Sequence, residues 1–342
     1  MGTGFEEFIV KLSCYDFRLD GLGLAPATRY RYIETIKKNP SLHSFHLKHL
    51  KPMGIGVAYG VKRVDPGLWR RLHRLRTVSN EFLEKQGFPL PWYIHTISLL
   101  NSKQLFVSWF IPPGIDPGSA TEWLDEGYYG WKIPVQNCLG KREPRLVNEL
   151  GRHLHELVGV EELGLRTPVL AYVLIAVLDH DPLLTLKRIG DIVNIAASRD
   201  LPAPLQGSIK PKYINRYYRR LSEAYVLGRV YVSSHLRGVR ALIGTDKRCA
   251  DTLYGVLAAT GESTYLYYSK IGAMAGVVMS GTLSDILIRE GCDLDVYVRY
   301  RTMVFPFPYE LYDPFEDTWS TEPRLEYALL LKKLGLIHVR KR

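Results

Sequence analysis

A chain of 342 residues with 46% hydrophobic and 23% charged side chains has room for two or more cores, and its composition excludes disordered and fibrous classes. A net charge of +10 and an isoelectric point of about 9.3 point to an acidic partner, most often nucleic acid. Cys14, Cys138, Cys249 and Cys292 stand far apart with no C-x-x-C pair, which argues against a zinc ribbon or a redox dithiol. The start lacks a secretory pattern, and the longest apolar run, residues 168–178, is too short to span a bilayer. These features predict a cytoplasmic protein with free thiols and no membrane contact.

In chain order, residues 5–17 predict one helix, 25–39 a basic helix and 44–50 a wing strand. Only one helix fits before the basic one, so residues 1–54 read as a truncated winged helix-turn-helix. Residues 55–64 alternate as a strand, 66–76 as a helix and 92–99 as a strand. Asn101-Ser102-Lys103 turns the chain; 104–111 is a strand, 119–126 a short helix and 131–138 a strand. The order βαββαβ over 55–140 is ferredoxin-like. Residues 141–166 form a linker, in which Glu143-Pro144-Arg145-Leu146 opens an amphipathic helix over 145–158, stopped by Gly159.

The plan then recurs. Over 167–237, helices at 169–178 and 185–195 precede a basic helix that starts near Ser208 and Pro211. Residues 225–233 and 236–243 predict a β-hairpin, completing a winged helix-turn-helix. Residues 238–304 repeat βαββαβ: strand 239–243, helix 247–259, strand 263–269, turn Lys270-Ile271-Gly272, strand 273–279, helix 282–289 and strand 294–304. Residues 305–342 hold an aromatic connector, an amphipathic helix at 324–334 and a basic tail. Local matches support the duplication. Pro26, Arg31-Tyr32 and Ile36 correspond to Pro211, Arg216-Tyr217 and Leu221, and Glu143-Pro144-Arg145-Leu146 corresponds to Glu322-Pro323-Arg324-Leu325. The expected fold class is α+β: two tandem copies of a winged helix-turn-helix plus a ferredoxin-like βαββαβ domain, the first winged helix truncated.

Leu24-Ala25-Pro26-Ala27-Thr28, followed by Arg31, Ile33 and Ile36, resembles the recognition-helix opening of the Lrp/AsnC (leucine-responsive, feast/famine) transcription regulators. The stretch from His46 to Ile55 resembles the wing entering that family's regulatory domain, and residues 92–112 resemble its second hairpin. The resemblance implies double-stranded DNA as partner and a small-molecule effector. It also implies pairing of the two βαββαβ domains as an intramolecular pseudo-dimer, with higher homo-oligomers as in the family. On that reading Val57, Tyr59, Val61, Leu105, Val107 and Trp109 face Val277, Met279, Val296 and Val298.

DNA binding needs cations for phosphates and polar groups for base edges. Arg29, Arg31, Lys37 and Lys38 supply them in the first copy, and Lys210, Lys212, Asn215, Arg216, Arg219 and Arg220 in the second. Lys103 and Lys270, in the turns where the family reads an amino-acid effector, suit an anion better than a zwitterion. The run Trp69-Arg70-Arg71-Leu72-His73-Arg74-Leu75-Arg76 reads as the solvated outer face of a ferredoxin-like helix. No motif implies a cofactor, a metal or a catalytic residue, so the main expectation is a regulator and not an enzyme. Two alternatives remain open. Siroheme decarboxylases share this plan, and their chemistry calls for His and Arg around a tetrapyrrole; His95, Tyr265 and Tyr267 lie on the strands concerned. A protein-interaction module without DNA contact also fits the aromatic content.

Overall fold

The computed structural model describes residues 24–39, 42–135, 147–164, 211–223, 227–234, 239–261, 263–279, 281–305, 307–308, 311–313, 316 and 318–322, with 4, 5, 8, 171, 172, 174, 175 and 178. In chain order its elements are α1 (Pro26–Lys38), β1 (Leu42–Lys48), β2 (Gly56–Arg63), α2 (Pro66–Arg74), α3 (Asn80–Lys85), β3 (Ile94–Leu100), β4 (Gln104–Ile111), α4 (Gly118–Trp123), β5 (Glu126–Pro134) and α5 (Val147–Gly159). They continue with α6 (Pro211–Glu223), β6 (Leu227–Ser234), β7 (Arg240–Asp246), α7 (Ala250–Thr260), β8 (Tyr265–Ser269), β9 (Gly272–Val278), α8 (Gly281–Arg289), β10 (Leu294–Val304), β11 (Tyr312–Asp313) and β12 (Thr318–Trp319). The helices expected over 5–17, 169–178, 185–195 and 324–334 lie wholly or largely outside the described residues, as do the marker at 143–146 and Lys210. The chain divides into two compact units: Met1–Pro52 with Glu162–Leu236 and Tyr309–Arg342, and Met53–Glu161 with Arg237–Pro308.

In the first unit, α1 starts at Pro26, where a missing N–H costs nothing, and buries Ile36. The Tyr32 ring on this helix meets Phe5 and Phe8, at 5.4 and 5.1 Å between centroids. β1 and β6 pair antiparallel, from Leu42 opposite Ser234 to Lys48 opposite Leu227. This corrects the hairpin expected between 225–233 and 236–243. β7 pairs instead with β9 and β10. Ala241, Leu242 and Ile243 are all buried, so β7 is apolar on both faces, the signature of an interior strand rather than a solvated wing.

The second unit holds the ferredoxin-like α+β architecture. The first half orders its strands β3-β4-β2-β5, and the second half orders them β8-β9-β7-β10. In both, the strand second in sequence lies at one edge and the fourth at the other. The two halves close into one eight-stranded barrel, with every neighbour antiparallel. The two junctions are equivalent: the fourth strand of each half pairs with the second strand of the other, as β5 with β8 and β10 with β3. The halves therefore join through strand edges and not through the apolar faces listed above. Val296 and Val298 remain 47% and 39% exposed. Closure satisfies the backbone groups that each half would leave open at its edges.

Helices cover the outside of this barrel. Ala241, Ile243, Ala273, Ala275 and Val277 point outward into a core with Leu253, Val256 and Leu257 of α7 and Leu283 and Leu287 of α8. α5 adds Val147, Leu154 and Leu157. α5 crosses α7 closely because the crossing residues are glycines: a Cβ at Gly255 would strike the Val147 carbonyl, and one at Gly151 would meet the Asp251 carbonyl at 2.7 Å. α2 is capped by Asp65, whose side chain accepts from the Gly67 and Leu68 amides. α3, capped by Ser79, was not anticipated from the sequence. Cys249 and Cys292 form a disulfide that ties the start of α7 to the approach to β10, which corrects the expectation of free thiols for this pair. Among the described residues no helix is long and apolar enough to cross a membrane.

Two predictions follow from the packing. Gly255→Val should destabilise the fold by about 1–3 kcal/mol, through backbone overlap at the α5–α7 crossing, as read by chemical denaturation. The second concerns His49, which is fully buried with neither ring nitrogen hydrogen-bonded. Burial, aided by Lys51, pulls its pKa from 6.5 down to about 3. The unfolded chain thus binds this proton more readily than the folded one. Stability held above pH 6.5 is lost as the pH falls towards 3, at about 1.4 kcal/mol per pH unit. His49→Phe should remove that share of the slope in denaturant melts taken across this window.

Candidate active site in the barrel interior

Antiparallel alternation sends one side chain of each pair inward, and the inward set is unusually polar for a barrel core. At its centre stands Tyr267 on β8. Its hydroxyl lies 3.3 Å from Ser108 Oγ on β4 and 3.5 Å from Thr96 Oγ1 on β3, strands that are not neighbours of β8. Its ring meets Tyr59 of β2 at 5.3 Å and Phe106 of β4 at 5.1 Å. Burial raises the pKa of Tyr267, so its hydroxyl stays protonated. Ser98 and Thr302, 2.9 Å apart, continue this polar interior on the β3–β10 side.

His95 owes its position to a β-bulge. Ile94 pairs with Trp109 but Thr96 pairs with Ser108, so His95 is the extra residue of β3. A bulge re-aims a side chain that regular alternation would point elsewhere. The His95 ring is buried, 4.3 Å from the ring of Phe110, which in turn packs at 4.9 Å on Phe307. His95 Nδ1 lies 3.2 Å from the Phe305 carbonyl. A carbonyl only accepts, so Nδ1 carries the proton and donates. Nε2 is then the acceptor, and the Lys132 ammonium on β5 donates to it. The same ammonium sits 3.7 Å from the centroid of the Tyr265 ring. His95, Lys132, Tyr265 and Phe110 thus gather from four strands around one proton-carrying contact.

A second cationic feature lies on β10 and β7. Arg299 points inward beside Arg240, and burial, followed by the like charge of Arg240, lowers its pKa. Its Nε is buried without a hydrogen-bond partner. Its guanidinium occupies the space that Gly276 of β9 leaves open, since a Cβ there would overlap Nη1. Among the described residues no carboxylate pairs with Arg240 or Arg299. The far end of the barrel is different. There Glu126 and Asp295 add to burial in raising the pKa of Tyr128 and Tyr297.

The residues singled out from sequence fall in three places. Arg29 is half-buried on α1, and Arg31 is exposed, with its guanidinium 5.5 Å from the Tyr32 ring. Lys37 and Lys38 are exposed at the end of α1, Lys38 paired with Glu34 at 3.3 Å. On α6, Asn215, Arg216, Arg219 and Arg220 are exposed, and Arg220 donates to the Gly164 carbonyl at 3.0 Å. Lys212 lies on α6 with its side chain, like Lys210, outside the described residues. Lys103 and Lys270 occupy the β3–β4 and β8–β9 turns. Strand direction puts both at the end of the barrel opposite His95 and Tyr265.

Of the residues noted in the sequence, His95 and Tyr265 meet through the Lys132 ammonium, while Tyr267 makes a separate set of contacts with Ser108, Thr96, Tyr59 and Phe106. Lys132, Arg240 and Arg299 were missed. The signal available for Lys132 was a lone cation at an inward position of an otherwise aromatic and apolar strand, Tyr128-Tyr129-Gly130-Trp131-Lys132-Ile133. Tyr267→Phe should cost about 0.5–1.5 kcal/mol, by leaving Ser108 and Thr96 without its hydroxyl, a loss measurable by thermal unfolding.

No family model and no curated protein matches the chain. Two solved structures are similar to it. The siroheme decarboxylase NirDL superposes with a TM-score of 0.48 at 12% identity, over 97% of this chain and 99% of that one. NirDL in co-complex with an iron-uroporphyrin III analogue superposes with a TM-score of 0.44 at 11% identity, over 97% and 98%. Both structures are of an enzyme, and this finding corrects the expectations that the chain is a DNA-binding transcription regulator and that it is not an enzyme. The sequence reading took the helix cations as the functional ones; those on α1 and α6 are present, and the structure places Lys132, Arg240 and Arg299 on barrel strands as well.

Proposed function

We propose that this chain is a decarboxylase acting on a tetrapyrrole of the siroheme kind. The observation that carries the reading is the contact between Lys132 and His95 inside an aromatic enclosure. Loss of CO2 from a carboxylate arm breaks a C–C bond and leaves its electron pair on carbon. The reaction R–COO⁻ + H⁺ → R–H + CO2 therefore needs one proton delivered at that carbon, and a macrocycle that delocalises the pair meanwhile. Lys132 holds such a proton, and the His95 Nε2 lone pair keeps it directed inward. The Nδ1–H donated to the Phe305 carbonyl fixes the tautomer that makes this possible. Tyr265 and Phe110 supply planar surfaces and keep water from the proton. Arg240 and Arg299 pair with a carboxylate that is retained rather than lost, and so orient the substrate. The neutral Tyr267 hydroxyl is a further donor.

Incubation of the purified chain with siroheme, followed by mass spectrometry of the product, tests the reading. The expected result is loss of CO2 from the substrate. Lys132→Met and His95→Ala should each slow this by roughly 10²–10⁴-fold, the range of general acid catalysis. Arg299→Gln should act chiefly on KM. A folded wild-type chain that leaves siroheme unchanged would sink the proposal.

A further inference from the structure

The outward side of α2 carries more charge than any contact among the described residues uses. Arg70, Arg71, His73, Arg74 and Arg76 are all exposed. The helix itself needs little of this, because a helix C-terminus attracts cations with only about half a unit charge. That demand is already met by Arg301 of β10. Its guanidinium donates to the carbonyls of Leu72, His73 and Arg76 at 3.3, 2.9 and 3.0 Å. Arg70 donates to the Pro66 carbonyl at 3.2 Å, and among the described residues no ion pair involves any of the four exposed arginines. Arg70 and Arg74 stand four apart on the helix, where like charges repel. An external anion is the simplest relief of that repulsion.

We propose that this face of α2 docks an acidic protein, one that presents carboxylates from a helix or a loop. The planar guanidinium fork matches a carboxylate with two parallel hydrogen bonds. The patch is also compact: nine helical residues span about 13 Å. The run of cations ends there, since α3 carries Glu81 and Glu84 against the single Lys85. A single-stranded nucleic acid would need a longer cationic track and open rings on which bases can stack. Trp69 and His73 stack on each other at 5.3 Å with 10° between their planes and Trp69 Nε1 donates to the Leu100 carbonyl, which leaves Tyr300, 57% exposed beside Trp69, as one open ring where a bound strand needs several. The docking face belongs to the helical outer layer, so the partner would leave the barrel interior unobstructed.

Fluorescence anisotropy on the full chain tests this, with a labelled oligo-glutamate peptide and a labelled oligouridylate of equal length as probes. Arg71→Glu/Arg74→Glu is compared with Lys247→Glu/Arg289→Glu, an identical change in net charge elsewhere on the same unit. The expected result is that the first variant weakens peptide binding by at least about tenfold and the second by less than about twofold, with affinity falling as salt rises. Equal losses in both variants would mean attraction to net charge alone and would overturn the proposal. So would tighter binding of oligouridylate that depends on Arg71 and Arg74, or no peptide binding at low salt. If the glutamate pair fails to fold by thermal melting, Arg71→Gln/Arg74→Gln is read by the same criteria.

Discussion

The structure of the second unit depends on one constraint: neither half can satisfy its sheet alone. Each ferredoxin-like half ends in two open strand edges, and β5–β8 and β10–β3 close both pairs at once. Backbone groups left open at those edges would each be exposed templates for the wrong partner. Everything inside the barrel follows from that closure. Tyr267 can reach Ser108 and Thr96 only because strands from the two halves curve around a shared interior. Lys132 meets Tyr265 because β5 and β8 are neighbours across a junction.

The interior is an uneasy compromise between packing and chemistry. A small barrel is normally filled by aliphatic side chains. Here Lys132, Arg299 and a row of hydroxyls take some of those places, Lys132 and Arg299 half-buried and the neighbouring Arg240 exposed, and charge drawn out of water is costly unless it is paired. Lys132 donates to a neutral imidazole and lies against an aromatic face. Arg299 has another arginine for a neighbour. The disulfide between Cys249 and Cys292 and the glycine crossing of α5 on α7 lie in the outer layer.

Much of the barrel was legible in the sequence. The pattern located seven of the eight strands within a few residues: β2, β3, β4 and β7 are buried along most of their length and read as short apolar runs bounded by turn residues. β5 starts five residues before the expected 131, since Glu126 to Tyr129 carry no apolar alternation. The pairing of β6 was misread because local adjacency favours a hairpin, and nothing in residues 227–234 names β1 as the partner. Lys132 and Arg299 were overlooked for a related reason. Period-two patterning says which face a residue takes but not which distant strand lies across from it. The net charge misled in the opposite direction. It is a property of the whole chain, and it was assigned to α1 and α6 although Lys132, Arg240 and Arg299 lie on β5, β7 and β10.

The junction between β10 and β3 sets the order in which this protein can be born. Ser98 and Thr302, which face each other across it, are 204 residues apart in the chain. On a ribosome the first half emerges with β3 and β5 complete and their natural partners not yet synthesised. Pairings at such long range are slow to form, and unpaired strands waiting for them invite association between nascent chains. Carrying both halves on one chain thus removes the search for a second molecule but lengthens the wait for the last strand.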